Sequence, residues 1–397
     1  MISEKTLEIV KSTAPILAKE GEAITNLFYQ KLFANHPELK NIFNMVNQSK
    51  GEQARALADS IFQYAVHIDK LEALGDSVSR IAHKHASLQV APEHYPIVGR
   101  FLLEAIQEHL SLESDDPVMI AWEEAYGALA AIFVNTEEAI YQANEAKLGG
   151  WRGDREFVIS EIKEEGEGVK SFYLNAKDGE PIATFEPGQY VGVKVLPDNS
   201  EFTAIRQYSL SNAPNNHTYR ITVRAETHAG NPEGVVSHFL QGLRVGDTLL
   251  LQPPTGDFII KRPKNDLVLI AGGVGITPLM SMLLAKIEQG EDVSKLTFIQ
   301  CCRDKNHHIF AEALTALQAK HGFRYFVSYE HGAGADVEGC LTQDILNQWL
   351  ENKQTDVYFC GPKPFMAAIN QTLQAIGFNE EQLHYELFGP TLALTES

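Results

Sequence analysis

The sequence predicts a multidomain chain in which an all-α segment is followed by an antiparallel β-barrel and then by a doubly wound parallel α/β segment. Over residues 1–146, apolar residues recur at three- and four-residue spacing, which is typical of amphipathic helices. Short alternating segments separated by Gly, Pro and Asn fill residues 152–262, as in small antiparallel barrels. Strands and helices alternate over residues 263–397, which predicts a parallel sheet.

The helical pattern is clearest in two stretches, EQARALADSIFQYAVHI and YPIVGRFLLEAIQEHL. Gly149 and Gly150 then interrupt it, so we expect residues 147–151 to form a linker. Barrel strands are expected at FVISEI, QYVGVKV, YRITVRA and TLLLQPP. In the last segment, DLVLIAGGVGITPLMSMLLAKI predicts a buried strand, a glycine turn and a helix, and further strands are expected at LTFIQCC, RYFVSYE and DVYFCG.

Composition narrows the class of protein. Of the 397 residues, 44% are hydrophobic and 21% are charged, as in ordinary globular proteins. No apolar run approaches the roughly 20 residues of a membrane helix, and the first residues lack the pattern of a secretory signal. We therefore expect a cytoplasmic monomer without a stable membrane span. The net charge of −19 argues against nucleic acid as a partner, because lysine and arginine drive phosphate binding.

Cysteine usage excludes two kinds of centre. The cysteines are Cys301, Cys302, Cys340 and Cys360, and their spacing contains no C-x-x-C pair. Neither a zinc ribbon nor an iron–sulfur cluster is therefore supported, and reduced structural thiols are expected.

The stretch IAHKHASLQ raises the question of a metal site. On a strand, His83 and His85 would face the same side, but on a helix they point about 200° apart. Val78, Ile81 and Leu88 fall at helical spacing with His85, which places His85 in an apolar stripe and His83 on the solvent side. Taken alone, His85 is more simply a core histidine than a ligand.

Three motifs point to nucleotide chemistry. AGGVGITP lies where a parallel strand turns into a helix, and its glycines let a pyrophosphate approach free N–H groups, although the spacing departs from G-x-G-x-x-G. RQYSL offers an arginine for a phosphate, a tyrosine to stack on a flat ring and a serine hydroxyl, although a plain edge strand would look similar. CGPKPFM follows the strand DVYF at the ligand-binding edge of such sheets.

RQYS, GVVS, GGVGITP and CGP, in this order, resemble the ferredoxin–NADP reductase family over residues 152–397. The resemblance implies FAD on the barrel and NADH or NADPH on the sheet. It assigns flavin contacts to Tyr190, Arg206, Gln207, Tyr208, Ser209, Gly234, Ser237, Leu387, Phe388, Gly389 and Pro390. It assigns nucleotide contacts to Gly273, Val274, Gly275, Ile276, Thr277, Pro278, Cys360, Gly361 and Pro362. The aromatic ring of LFGP would cover the flavin, and Glu386 beside it is expected to influence electron transfer.

The choice between the two nucleotides rests on the residues after the strand FIQCC. Arg303 could meet a 2′-phosphate, whereas Asp304 favours a ribose hydroxyl. The resemblance favours NADH.

The electron acceptor is expected in the helical domain, because the cysteine spacing excludes an iron–sulfur module. There, Tyr29, Phe43, Gln53, Leu57 and His85 together resemble a globin, and a globin followed by this reductase resembles the bacterial flavohaemoglobins over the full chain. The resemblance implies haem b, with His85 as the proximal iron ligand, Phe43 wedging the haem, Tyr29 and Gln53 facing O₂, and Leu57 packing above it.

The same resemblance implies a proximal pair, Tyr95 and Glu137, that hydrogen-bonds the ligating imidazole, with Lys84 beside them. A carboxylate that accepts the imidazole N–H pushes electron density towards iron and favours O–O chemistry over simple O₂ release. Without the resemblance, Glu137 in NTEEAIY would be taken for a solvated helix residue.

The function implied is nitric oxide dioxygenation, which detoxifies NO and protects against nitrosative stress. Electrons would pass from NAD(P)H through FAD to haem, and NO and O₂ would give nitrate. Reduction of peroxides or alkyl hydroperoxides at the same haem is a rival activity. A sensor or store for O₂ or NO is a rival of another class.

Overall fold

The computed structural model describes residues 2–197, 200–225, 234–261 and 266–389. The chain divides into two compact units. One contains the chain up to Ala146 together with Lys194–Arg206, and the other contains Lys147–Val193 and Gln207–Gly389.

The first unit is built on helices whose apolar faces form one core. Ser3 begins the first helix by accepting a hydrogen bond from the backbone N–H of Thr6, and Asp116 caps the last in the same way through Val118. The largest buried side chains of this core include Phe28, Leu32 and Ile106. The helices are α1 (Glu4–Asn35), α2 (Met45–Ser49), α3 (Glu52–His67), α4 (Gly75–Ser87), α5 (His94–Leu110) and α6 (Pro117–Glu145), with 3₁₀ turns at Pro37–Asn41 and Leu71–Leu74.

Helix α6 is long and apolar enough, by length and composition, to cross a membrane. The sequence analysis predicted no membrane-length helix here, because charged residues such as Glu123 and Glu124 interrupt the apolar residues. Trp122 and Phe133 on this helix are buried in the protein, and a core helix meets the same criteria, so α6 is weak evidence for a membrane span.

The β-strands that follow form a six-stranded sheet in the order β4-β3-β6-β1-β2-β5. The pairs β1·β2, β1·β6 and β2·β5 are antiparallel. A short helix, α7 (Val235–Gln241), precedes the last strand. The strands are β1 (Arg155–Gly166), β2 (Val169–Ala176), β3 (Tyr190–Val195), β4 (Ala204–Ser209), β5 (Tyr219–Arg224) and β6 (Thr248–Leu251).

A second six-stranded sheet has the order β10-β9-β8-β7-β11-β12, and its strands are parallel. Every residue of β7 is buried, as a central strand covered on both faces requires. The order reverses at β7, since β8 lies on one side and β11 on the other, and ligands of doubly wound folds bind at this point.

The strands of this sheet are β7 (Leu267–Gly272), β8 (Thr297–Cys302), β9 (Arg324–Tyr329), β10 (Val337–Glu338), β11 (Asp356–Cys360) and β12 (Leu383–Glu386). Its helices are α8 (Ile276–Glu288), α9 (Ala311–His321), α10 (Gln343–Trp349) and α11 (Lys363–Ala375). The predicted fold class, with helices, then an antiparallel sheet, then a parallel α/β sheet, is confirmed.

Candidate functional site

Helices α4, α5 and α6 bring together a histidine, a tyrosine and a carboxylate. His85 Nδ1 lies 2.7 Å from Glu137 Oε1 and 3.1 Å from Tyr95 Oη. Tyr95 Oη donates to the same Glu137 oxygen at 2.5 Å. The Glu137 side chain is only 3% exposed, so this carboxylate sits in a medium of low dielectric constant. Burial, followed by the hydrogen bond to Glu137, raises the pKa of Tyr95, which therefore stays a neutral donor.

This arrangement fixes the state of the imidazole. A carboxylate only accepts hydrogen bonds when ionised, so Nδ1 of His85 carries the proton and Nε2 carries the lone pair. The hydrogen bonds that the described residues make to His85 use Nδ1, which leaves Nε2 for a metal ion. The Phe133 ring, 5.6 Å from the imidazole centroid, packs beside it.

Tyr126 supports the same cluster and was missed by the sequence reading. Its hydroxyl donates to the backbone carbonyl of Tyr95 at 2.7 Å, and its ring lies over Gly99. A Cβ at Gly99 would come within 2.3 Å of that ring, so the glycine makes room for the tyrosine. Tyr126 is 31 positions from Tyr95 in the sequence, so no local pattern marks this contact.

The prediction that His83 and His85 lie on a helix is correct, since both belong to α4. On this helix the two side chains point in different directions. Ala82 and Ala86 form the fully buried face of the helix. His83, which the sequence placed on the solvent side, is half-buried like His85, because both flank that alanine face. Lys84 precedes His85 and is also half-buried. In the part of the chain that the structure describes, no group of three or more His, Cys, Asp and Glu side chains could hold a metal ion.

Tyr29, Phe43 and Gln53 also lie near one another. The Phe43 ring meets the Tyr29 ring edge-on at 5.8 Å, and Leu57 packs against the same core. Tyr29 is 4% exposed; burial raises the pKa of its hydroxyl, while the hydrogen bond with Gln53 acts in the opposite direction. Gln53 Oε1 is buried and has no hydrogen-bond partner among the described residues.

These features fit a haem. A buried amide oxygen without a partner is costly unless a bound group satisfies it. A single histidine with its second nitrogen held by a carboxylate is a typical axial ligand, and aromatic rings suit a flat macrocycle.

The residues predicted to bind flavin fall on neighbouring strands. Tyr190 begins β3, and Arg206 to Ser209 end β4, the edge strand beside it. The backbone N–H of Leu210 donates to Gln189 at 2.9 Å and ties these two segments together. The Arg206 guanidinium donates to the Asn44 side chain at 2.6 Å and to the carbonyl of Ile205 at 2.8 Å. The phenol of Tyr208 and the hydroxyl of Ser209 are groups that suit a flat ring and a polar ligand, so this edge fits FAD.

The remaining flavin assignments lie at element ends. Gly234 precedes α7, and Ser237 Oγ donates to its carbonyl at 2.8 Å. Leu387, Phe388 and Gly389 follow β12, and the Phe388 side chain is 50% exposed, as a ring that covers a ligand could be. Pro390 lies outside the described residues. Glu386 ends β12 and pairs in register with Cys360 of β11.

The glycine turn and the CGP segment, both assigned to the nucleotide, meet in space. The chain leaves β7 at Gly272, makes a 3₁₀ turn over Gly273–Gly275 and enters α8. A Cβ at Gly275 would lie 2.3 Å from the carbonyl oxygen of Cys360, so only glycine allows this approach. Within the turn, Thr277 Oγ1 donates to Val274 at 3.1 Å, and Pro362 starts α11 on the other side.

A cleft opens beside this turn. It is lined by Val169, Arg224, Gly272, Gly273, Val274, Cys301, Cys302, Arg303, His307, Ile309, Glu330, Pro362 and Phe365. Val169 and Arg224 belong to the antiparallel sheet. The others lie at or after the carboxyl ends of β7, β8, β9 and β11, where a dinucleotide fits with its pyrophosphate at the glycine turn.

Asp304, suggested above as the acid for a ribose hydroxyl, has another role. Its carboxylate accepts from the backbone N–H of Asn306 at 2.8 Å and contacts the His307 ring at 2.8 Å. The His307 contact lowers the pKa of Asp304. Among the residues that line the cleft, the acid is Glu330, the first residue after β9. Arg303 also lines the cleft. Sequence reasoning missed Glu330, although its place as the last residue of the predicted strand RYFVSYE was a signal.

Family models and relatives agree with this geometry. The globin model matches residues 26–133, the oxidoreductase FAD-binding domain model residues 156–260, and the oxidoreductase NAD-binding domain model residues 269–371. A flavohemoprotein of Halalkalibacterium halodurans is 44% identical, covering 100% of this chain and 99% of the relative. One of Pseudomonas putida is also 44% identical, covering 99% of this chain and 100% of the relative.

Solved structures extend the comparison. A flavohemoglobin of Malassezia yamatoensis with bound FAD and heme shares the fold with a TM-score of 0.87 at 24% identity, covering 98% of this chain and 100% of that one. The flavohem-like FAD/NAD binding domain of the nitric oxide dioxygenase from Vibrio cholerae has a TM-score of 0.57 at 36% identity, covering 60% of this chain and 100% of that one. The chain belongs to the flavohemoprotein family of oxidoreductases, with a haem-binding globin, an FAD-binding domain and an NAD-binding domain.

Proposed function

We propose that this flavohemoprotein is a nitric oxide dioxygenase, which uses NAD(P)H and O₂ to convert NO to nitrate. The observation that supports it best is the buried Glu137 carboxylate, 2.7 Å from the imidazole Nδ1 of His85. A protein that only carries or senses O₂ gains nothing from a charged acceptor behind its iron ligand, whereas oxygen chemistry does.

The residues behind His85 have defined tasks. Glu137 accepts the imidazole proton in a hydrogen bond and makes the ring a stronger electron donor. Tyr95 donates to the same carboxylate oxygen, and Tyr126 holds the backbone that carries Tyr95. When bound, FAD would accept hydride and release single electrons, and haem would supply the iron at which NO and O₂ react.

We assign Tyr29 and Gln53 to the part of the site that would face O₂. Because burial raises the pKa of Tyr29, its hydroxyl is protonated and can donate to an oxygen atom of a ligand. A hydrogen bond in such a dry pocket is stronger than the same bond in water. The Phe33 and Phe43 rings pack against the Tyr29 ring, each at 5.8 Å, and help exclude water from it.

The decisive assay follows NO with an electrode in the presence of NADH, with and without O₂. Dioxygenation requires O₂, so fast NADH-dependent NO loss in air and slow loss under argon support the proposal. Equal rates in both atmospheres would favour reduction chemistry. NO loss that stops once one NO has been consumed per haem would favour a sensor or store.

Tyr29→Phe is expected to lower aerobic NO consumption by about tenfold or more, since one hydrogen-bond donor to developing charge is lost from a buried site. The rate of flavin reduction by NADH, followed by stopped-flow absorbance, should not change. Tyr64→Phe is the matched control, because it removes another buried hydroxyl, which donates to Ala125. Unchanged NO consumption in Tyr29→Phe would remove Tyr29 from the mechanism.

We further propose that NADH is the preferred nucleotide. Glu330 in the cleft can accept a hydrogen bond from a ribose 2′-hydroxyl, and its charge opposes a 2′-phosphate. Arg303 lines the same cleft and acts in the opposite sense, so the preference should be moderate. Steady-state KM values for both nucleotides check this, and a lower KM for NADPH would contradict it.

A further inference from the structure

A buried polar cluster beside the cleft is not used by the chemistry above. His308 Nδ1 lies 2.8 Å from Tyr329 Oη, and its Nε2 lies 2.7 Å from Tyr325 Oη and 3.1 Å from Gln300 Oε1. Tyr325 Oη donates to Gln300 Oε1 at 2.7 Å, and Gln300 Nε2 donates to the carbonyl of Ile309 at 2.9 Å. One imidazole thus links the loop after β8 to side chains of both β8 and β9.

The hydrogen bonds define one protonation state. Gln300 donates its side-chain N–H to the carbonyl of Ile309, so the atom that faces His308 and Tyr325 is the amide oxygen, which can only accept. If Nε2 of His308 carries the proton, it donates to Tyr325, Tyr325 donates to Gln300, and Tyr329 donates to Nδ1, so each group is satisfied. The opposite tautomer would leave Nε2 facing the Gln300 oxygen without a proton. Burial lowers the pKa of His308 to about 4, which keeps the ring neutral at physiological pH.

The cluster lies directly behind the wall of the cleft. His307 and Ile309, on either side of His308, both line the cleft, and so does Glu330, which follows Tyr329. Arg303 begins the same loop, and its carbonyl accepts from the N–H of His331 at 2.9 Å. The loop ends at Phe310, which adopts a positive φ of 60°, so the chain bends sharply before α9. A loop of this kind needs side-chain contacts to define its position.

We propose that His308 is a positioning residue for the pyridine nucleotide, because it fixes the wall of Arg303, His307 and Glu330 against β8 and β9. The pyrophosphate belongs at the turn Gly273–Gly275, directly after β7, so the β8 and β9 side receives the adenosine half. His308 does not touch the nucleotide in this proposal. The proposal rests on the NAD-binding domain and not on NO chemistry.

The test uses the full-length protein with its haem and FAD, and three substitutions. His308→Phe keeps a planar ring without hydrogen bonds, and His308→Gln restores a neutral donor and acceptor. His217→Phe is the control, because it changes an exposed histidine between β4 and β5. NAD⁺ binding is measured by calorimetry, and KM and kcat for NADH are measured with ferricyanide as the electron acceptor. Ferricyanide reduction needs no NO, so its outcome is independent of the proposed dioxygenase activity.

His308→Phe is expected to raise the Kd for NAD⁺ and the KM for NADH by about tenfold, as the loss of one or two neutral hydrogen bonds predicts, with kcat little changed. His308→Gln should recover most of this loss, and His217→Phe should match the unmodified protein. A lower Tm in His308→Phe with an unchanged Kd would show that the cluster only stabilises the fold and would overturn the proposal. Should His308→Phe fail to fold, Tyr329→Phe removes one hydroxyl from the cluster, and an unchanged Kd in that variant also overturns it.

Discussion

Replacing His85 by alanine is expected to abolish the Soret band of the purified protein or to leave haem so loosely held that it is lost on gel filtration. Glu137 holds Nδ1 of His85, which leaves Nε2 for iron, so the substitution removes the ligand itself. The variant should still fold, since His85 is about one-third exposed and the helix is buried through Ala82 and Ala86. Flavin absorbance and NADH-dependent ferricyanide reduction should therefore persist, while NO consumption disappears.

Two further arms make this result specific. His83→Ala removes a histidine of similar exposure from the same helix and should keep the Soret band. Imidazole added to His85→Ala should restore haem absorbance in part, because the removed side chain leaves space for it. A normal Soret band in His85→Ala together with its loss in His83→Ala would show that the helical phase and the haem assignment are both wrong.

Local periodicity was enough to place His85 on a helix, whereas its assignment as an iron ligand came from the resemblance to globins. The apolar spacing around it is a property of thirteen consecutive residues, and α4 covers Gly75–Ser87 as that spacing requires. Local pattern also predicted the strand, glycine turn and helix around Gly273. Short elements gave weaker signals: β12 has four residues, and no strand was predicted there, although the flavin contacts assigned from Leu387 onward begin directly after it.

Contacts between distant segments could not be predicted in this way. Glu137 and Glu138 are adjacent in the sequence and equally plausible as surface residues, and only the fold buries Glu137 against His85, 52 positions away. Asp304 was named for the ribose because it lies just after a predicted strand, and Glu330 was not considered, but the local turn uses the Asp304 carboxylate. Side-chain capping of this kind depends on backbone geometry and is not visible in composition.

The carboxylate at position 137 should have the second largest effect. Glu137→Gln keeps the shape of the side chain and its ability to accept a hydrogen bond from Nδ1, but it removes the negative charge. The imidazole then donates less electron density to iron, so the oxidised state loses stability and the haem midpoint potential should rise. We expect NO consumption to fall by about 10- to 100-fold, the usual effect of losing a partner behind a metal ligand, with haem content retained.

Glu138→Gln is the matched control, because it changes the neighbouring carboxylate, which accepts a hydrogen bond from Gln142 near the surface. Spectroelectrochemical titration gives the midpoint potential of each variant, and stopped-flow absorbance gives flavin reduction by NADH, which should be equal in both. A higher potential in Glu137→Gln alone would tie the loss of activity to the charge behind His85. The same potential in both variants would instead mean that Glu137 only holds Tyr95 and His85 in place, since a neutral amide can do that as well as a carboxylate, and the electronic argument for dioxygenation would lose its support.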